Sequence, residues 1–438
     1  MRANTIFKST PIVGYILILL NVSQQLTVIP ALFFGNVEWY FHQSIIVTLN
    51  ILFLFTHKLN TDPFKQVKKS VAYYSVLVLC LIFVLELPRF LVNSDGRNVM
   101  LTVLNAIEFI TFYNVLSSVY YELVSKRGYK LAHQELLKVY VIFASGIVLT
   151  SVFVFILASL KIVDPSAYAM PPNFSINVDS DAATLGTQYY FPLHLTIIIS
   201  DNRGLPFFSN YGVFCGLSHE PHIATYIVTP AVFFLQALNW SKRTKLILTI
   251  FFIIFLLTAT STTNLIALMV VFFALILINI KNGNYVIFNI FCLVVIVGIF
   301  SFFSLSDLGF AAAKAKLDTS SGTSLDYSRN FLSHVVSPRE FWGDGAFNVP
   351  FPYARVKDIG IVSSVLIIGL YILLLASAIR LIVSSTRTLK FIGAGCLYFL
   401  LHSLKIVQLA LIYPYTLMIM FFMLVGFQAM KLKIYNPA

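Results

Sequence analysis

The sequence predicts an all-α integral membrane protein of about twelve transmembrane helices with two long loops on one face, and three observations carry that prediction. Of 438 residues, 58% are hydrophobic and only 11% are charged. A water-soluble domain of this size needs more polar surface than that. Apolar runs long enough to span a bilayer, about 20 residues each, recur along the whole chain. The basic residues fall in alternate connections between those runs, as the positive-inside rule requires.

The runs lie near 11–34, 39–56, 71–93, 99–123, 139–163, 222–240, 246–260, 263–280, 285–304, 359–382, 391–411 and 413–430. The first is long, carries Asn21, Gln24 and Gln25 and lacks a small-residue cleavage site, so it reads as a helix rather than a signal peptide. With Arg2 and Lys8 inside, an even number of spans leaves both termini in the cytoplasm. The cytoplasmic connections then hold Lys58, Lys65, Lys68 and Lys69; Lys126, Arg127, Lys130 and Lys138; Lys242, Arg243 and Lys245; Lys281; Arg380, Arg387 and Lys390; and Lys431 and Lys433. The net charge of +12 is therefore a topological signal, and no nucleic-acid partner is expected. Cys80, Cys292 and Cys396 fall in predicted helices and Cys215 in a loop, so neither a disulfide framework nor a zinc site is expected. Gly-rich phosphate loops, His-Glu zinc spacings and fixed-period repeats do not occur in the sequence. Residues 1–438 read as one polytopic domain.

Two outer connections, 164–221 and 305–358, are long, whereas the others are short. Long loops on an economical scaffold usually carry function. The first divides into a Pro/Asn/Ser/Asp-rich portion (165–187), an extended stretch with Tyr189, Tyr190, Phe191, Leu193 and Leu195, and a polar return (201–226). That return holds Asp201, Arg203, His219, Glu220 and His222. Pro221 suits the first turn of the next helix, and Glu220 beside it suits the helix dipole, so plain capping is as good a reading of Glu220 as catalysis. The second loop interleaves Arg329, His334, Arg339, Asp344, Arg355 and Asp358 with aromatics. Guanidinium forks suit phosphate oxygens and aromatic faces suit sugar rings, a mix that fits a phosphate-linked glycan better than a small ion. The competing reading pairs these arginines with Asp326, Glu340 and Asp344 in a solvated loop.

Within the spans, Glu86, Arg89, Glu108, His402 and Lys405 all fall in the outer half. A charge in hydrocarbon is costly and usually faces a cavity or a partner. Glu86 and Arg89 are three apart and can satisfy each other, whereas His402 and Lys405 share a face with no acid on their own helix. One polar cavity, open outward near the depth of lipid phosphates, is the expectation.

These residues resemble a family. Tyr189-Tyr190, then Arg203-Gly204, then Gly216-Leu217-Ser218-His219-Glu220-Pro221 at a helix start resemble the first large loop of bacterial O-antigen and polysaccharide polymerases, the Wzy type. The second loop is similar too, with Arg329, then Gly343, Gly345 and Asn348, and then Asp358 and Gly360 leading into a helix. The cluster Thr258, Thr260, Ser261, Thr262 and Thr263 between two apolar runs also fits. His334 does not sit in the Gly-x-His context of the related O-antigen ligases, which weakens a ligase reading and the use of His334 as a base.

The resemblance implies a fold like that of the C-type glycosyltransferases, in the bacterial cytoplasmic (inner) membrane. It implies transfer of a growing glycan from undecaprenyl diphosphate to a hydroxyl of a lipid-linked repeat unit, with a chain-length regulator as a protein partner. Arg203, Arg329, Arg339 and Arg355, with His334 and Lys405, would bind the diphosphate. Glu220, His219 or Asp344 would act as the base. Nothing in the sequence calls for a metal or another cofactor. The alternatives are an O-antigen ligase acting on a lipid A-core, a lipid-linked oligosaccharide flippase or other transporter, and a non-catalytic scaffold. The topology predicts that single cysteines near 180 and 320 react with an impermeant thiol reagent in intact spheroplasts while cysteines at 57–70 and 125–138 do not; protection at 180 and 320 would contradict it.

Overall fold

The computed structural model describes residues 10–23, 39–56, 96–162, 187–190, 196–199, 213–214, 216, 218, 221–259, 262–280, 369, 371–403 and 414–431. These form α1 (Thr10–Ser23), α2 (Trp39–Thr56), α3 (Gly96–Ser159), β1 (Thr187–Tyr190), β2 (Thr196–Ile199) and β3 (Val213–Phe214), followed by α4 (Pro221–Val228), α5 (Pro230–Ala237), α6 (Lys242–Thr258) and α7 (Thr262–Ile280). The last are α8 (Tyr371–Ile382), α9 (Arg387–Ser403) and α10 (Pro414–Lys431). The architecture is predominantly helical. By length and composition Val103–Leu157 is long and apolar enough to cross a membrane, and α1, α2, α4 with α5, α7, α8 and α10 contribute shorter apolar helices. The expected runs at 71–93 and 285–304 and the whole loop 305–358 lie outside the described residues.

The centre of the bundle is α9, which is buried almost throughout from Leu389 to Ser403. A helix that is apolar on every side belongs in an interior, and α9 packs against α5, α7 and α10. It approaches α5 closely, since a Cβ built at Gly395 would stand 2.4 Å from a ring carbon of Phe234, and α8 too, since one at Gly393 would stand 2.6 Å from the Ile382 backbone nitrogen. Only glycine lets those helices come so near. α1, α2 and the first arm of α3 form a second packed group, with Ile18, Phe53, Phe112 and Val119 buried between them. Outward positions are apolar as well, including Phe55, Phe153, Phe273 and Leu373, each more than half exposed.

One expectation is corrected. The connection at 125–138 is helical on both sides of Gly128, whose φ of 78° and ψ of 163° kink α3 into two arms. That left-handed φ suits glycine, and two ion pairs flank the bend, Lys126 with Glu122 one turn before it and Arg127 with Glu135 at 3.3 Å across it. The helical fold class holds, and the first long loop adds a small antiparallel sheet of β1, β2 and β3 in that order. Thr187 pairs with Ile199 and Tyr190 with Thr196, while Ile197 pairs with Phe214. The extended character expected for the Tyr-rich stretch is thus present at Tyr189 and Tyr190, and β3 lies beside α6.

The junction of α5, α6 and α9 gathers cations. Ser241 caps α6 by accepting from the Thr244 amide at 3.1 Å. Lys245 turns its ammonium back to the Gln236 carbonyl, 3.2 Å away in the last turn of α5, where a cation is favoured by the helix dipole. Arg387 and Lys390, expected in a connection, instead open α9, and Lys390 is buried. Burial first, and the Arg387 guanidinium second, pull the Lys245 ammonium down to about 8. Because the folded value lies below the ordinary lysine value of 10.5, the charged Lys245 opposes folding at low pH, and that cost is lost as pH rises from about 8 to 10.5. Limited acetylation at pH 8, read by mass spectrometry, is expected to modify Lys245 ahead of exposed Lys242, and Arg387→Gln is expected to slow it; equal labelling of Lys242 and Lys245 would contradict the shift.

Candidate functional site

The run at 222–240 reads in sequence as one helix, and the structure keeps helical φ and ψ of −64° and −36° at Thr229 while interrupting the hydrogen-bond ladder there, between α4 and α5. Pro230 is the physical cause, since it has no N–H and its ring crowds the carbonyl of the residue four positions back, Tyr226. A carbonyl freed inside an apolar bundle needs another donor. Tyr415, in the first turn of α10, donates its hydroxyl to the Tyr226 carbonyl at 2.8 Å and also lies 3.3 Å from the Ile227 carbonyl. Tyr140, from the second arm of α3, donates to the Ile227 carbonyl, and the two tyrosine oxygens are 2.7 Å apart. The backbone closes the rest of the break with Thr229 N–H to Thr225 C=O at 2.9 Å and Val232 N–H to Thr229 C=O at 3.0 Å.

Around the break the polar groups are continuous. The Asn264 side-chain oxygen on α7 accepts from the Thr229 hydroxyl at 3.0 Å and from the Tyr398 hydroxyl of α9. Tyr398 also lies 3.4 Å from the Thr225 carbonyl, and the Thr225 hydroxyl lies 3.4 Å from His402 Nε2. The Tyr226 ring packs against Phe399, Tyr415 and His402 with centroids 4.9, 5.2 and 5.4 Å away. Every member of this set is buried. Five elements, α3, α4, α7, α9 and α10, therefore meet through hydroxyl, amide and imidazole groups rather than through charges. A network of this kind strengthens its own bonds in a low dielectric.

A second polar cluster lies among α1, α2 and α3. Asn21 and Asn50 exchange side-chain amide bonds of 2.9 Å in both directions, and the Asn50 amide lies 3.5 Å from the Thr111 hydroxyl. The Gln43 amide donates to Asn105 and to the buried Glu108 carboxyl. Among the described residues no group of three or more His, Cys, Asp or Glu is placed to hold a metal ion.

The approach to α4 is partly described. Gly216 takes a left-handed φ of 56°, the region that favours glycine, and sits against Ile147 of α3 and Phe255 of α6. Ser218 is buried two residues later, and Pro221 opens α4 as expected. His219 and Glu220, between them in the chain, lie outside the described residues, and so do Arg203, Arg329, His334, Arg339, Asp344, Arg355 and Lys405. Glu86 and Arg89 do as well. Of the outer-half ionisable groups expected to share one cavity, Glu108 and His402 are described, and their hydrogen bonds join different partners, Gln43 for one and Thr225 for the other. The sequence reading did not single out Tyr140, Tyr226, Tyr398, Tyr415 or Asn264. The available signal was Thr229-Pro230 inside an apolar run, which announces freed carbonyls that some hydroxyl must meet.

No family model, no curated protein and no solved structure matches this chain. The network makes a stability prediction. Asn264→Leu removes the acceptor shared by Tyr398 and Thr229 and is expected to cost about 1–3 kcal/mol. Ile266→Ala, at an outward position on the same helix, is expected to cost under about 0.5 kcal/mol. Thermal unfolding of the two purified variants in one detergent checks the difference.

Proposed function

We propose that the protein is a polysaccharide repeat-unit polymerase of the bacterial inner membrane, with about twelve spans, cytoplasmic termini and both long loops on the outer face. The observation that supports this reading best is the junction between the first long loop and α4. The loop segment that carries Arg203, His219 and Glu220 runs directly into a half-helix buried in an apolar bundle and held by a neutral polar network. A lipid-linked glycan needs that combination: an apolar surface for the polyprenyl chain, and loop cations and carboxylates at its polar end. The apolar outward positions of α2, α3, α7 and α8 support a lipid surround.

In the proposed reaction a sugar hydroxyl of the lipid-linked repeat unit attacks the anomeric carbon of the growing glycan. Its proton passes to Glu220, with His219 and Asp344 as the other candidates. The bond from the anomeric carbon to the diphosphate oxygen breaks, and undecaprenyl diphosphate leaves with the electron pair. Arg203, Arg329, Arg339 and Arg355, together with His334 and Lys405, offset the charge on that leaving group. The glycan, one repeat unit longer, remains on the acceptor's undecaprenyl diphosphate. A ligase would use the same donor, and the context of His334 favours polymerisation over ligation.

Substitution in cells tests the assignment. Arg203→Lys and Arg329→Lys keep the charge but lose the planar fork, so each is expected to lower chain growth about tenfold or more, whereas a solvated surface pair, worth roughly 0–1 kcal/mol, tolerates the change. Glu220→Gln keeps size and most capping capacity and is expected to lower growth by about 10²-fold or more if the carboxylate is the base. Near-normal polymer from well-expressed Glu220→Gln makes Glu220 a cap and moves the base to His219, His222 or Asp344.

A further inference from the structure

The end of the bundle where α5, α6 and α9 meet carries cations that the transfer reaction does not use. Lys242, Arg243 and Lys245 occupy the first turn of α6, and among the described residues none of the three forms an ion pair with a carboxylate. Lys245 is half-buried. One of its three N–H donors goes to the Gln236 carbonyl at 3.2 Å, and the charge acting on it is another cation, Arg387 in the first turn of α9. Holding two like charges together where one is half-buried is costly, and an anion between them offsets that cost. The side chains that follow on α6 are apolar and face outward. Leu246 and Ile250 continue the face of exposed Lys242, and Ile247 continues that of exposed Arg243; the three are 62%, 47% and 53% exposed. Outward cations one turn from outward aliphatic side chains match a molecule with a phosphate at one end and acyl chains at the other.

We infer that the first turn of α6 and Arg387 form a site for an anionic phospholipid, with the headgroup phosphate held by Lys242, Arg243, Lys245 and Arg387 and the acyl chains laid along Leu246, Ile247 and Ile250. The inference takes from the proposed function only that the chain lies in a bilayer; it involves neither the glycan nor the loops that would transfer it. Lys245 keeps two N–H groups for phosphate oxygens after meeting Gln236, and Arg387 supplies a guanidinium suited to the same oxygens. A free phosphate offers those oxygens too, but it leaves Leu246, Ile247 and Ile250 uncovered, so the apolar face favours the lipid. The position fits the predicted topology, in which the connections at 241–245 and 383–390 are cytoplasmic, because the cytoplasmic leaflet is the one whose anionic lipids attract basic segments.

Native mass spectrometry of the full-length protein in detergent provides the test, with phosphatidylglycerol, phosphatidylcholine or inorganic phosphate added. Wild type is expected to hold phosphatidylglycerol about tenfold or more tighter than phosphatidylcholine. The double variants Lys242→Gln/Arg243→Gln and Lys245→Gln/Arg387→Gln are each expected to lose that preference. Lys161→Gln, at an exposed cation beyond the far end of α3, is expected to keep it. Removing a half-buried lysine can disturb folding, so if Lys245→Gln/Arg387→Gln melts earlier than wild type in lipid-free detergent, the exposed pair Lys242 and Arg243 decides the matter. Equal binding of the two lipids, or a preference that survives Lys242→Gln/Arg243→Gln, overturns the inference. A preference that Lys161→Gln reduces as much as the double variants do is a general attraction of charge and overturns it as well. Inorganic phosphate bound as tightly as phosphatidylglycerol shows that the aliphatic face contributes nothing, and the lipid assignment falls. None of these readouts involves glycan, so the polymerase reading stands or falls separately.

Discussion

Inside an apolar bundle every backbone carbonyl must find a donor in the protein, and Pro230 breaks that rule at the middle of the structure. The repair organises its surroundings. Tyr415 and Tyr140 reach the carbonyls of Tyr226 and Ile227 from helices that are 189 and 87 residues away in the chain. Meeting them draws α3 and α10 against α4, while Asn264 and Tyr398 tie in α7 and α9. A satisfied hydrogen bond adds only about 1 kcal/mol net, but a buried group left unmet costs about 1–3 kcal/mol. The network therefore contributes less through the bonds it makes than through the arrangements it forbids. Close packing then completes the centre, with Gly395 admitting the Phe234 ring where any Cβ would collide.

The functional argument turns on where charge is and is not. The described interior is mainly apolar, and the polar groups in it are mostly neutral, with tyrosine, threonine and asparagine side chains holding backbone and each other. The cations proposed for a diphosphate leaving group belong to the long loops of the sequence, whereas Lys245 and Arg387 gather where α5, α6 and α9 meet. A transporter is expected to show pseudo-symmetric halves and short connections on both faces, whereas this chain places both long connections on one predicted face.

Helix positions were legible because length is what an apolar run reports. The run at 39–56 coincides with α2, 263–280 with α7 to within a residue, and 413–430 with α10 to within a residue. Direction was not legible. In helices apolar all round, composition does not say that Phe399 faces the core while Phe153 faces outward, because the hydrophobic pattern has no polar side to contrast with. The two helical arms that meet at Gly128 were hidden by the charges of 125–138, which read as a loop until Glu122 and Glu135 are seen to pair with Lys126 and Arg127. The small sheet was half legible, its tyrosines suggesting extended chain without revealing a partner strand. Of the candidate site, the helix start at Pro221 emerges as the sequence suggests, whereas the loop arginines, Glu220 and Asp344 lie beyond the described residues. The tyrosine cluster escaped notice because a tyrosine in an apolar span looks like one more aromatic until the proline opposite it is considered.

The central proposal is that this chain spans the membrane and lengthens lipid-linked glycans. Purified protein, reconstituted in lipid and given only undecaprenyl diphosphate-linked repeat units, tests it most directly when the products are separated by gel. The account predicts a ladder in which each rung is one repeat unit longer and remains attached to undecaprenyl diphosphate. Repeat units that stay single, or that move only when a lipid A-core acceptor is added, would contradict it.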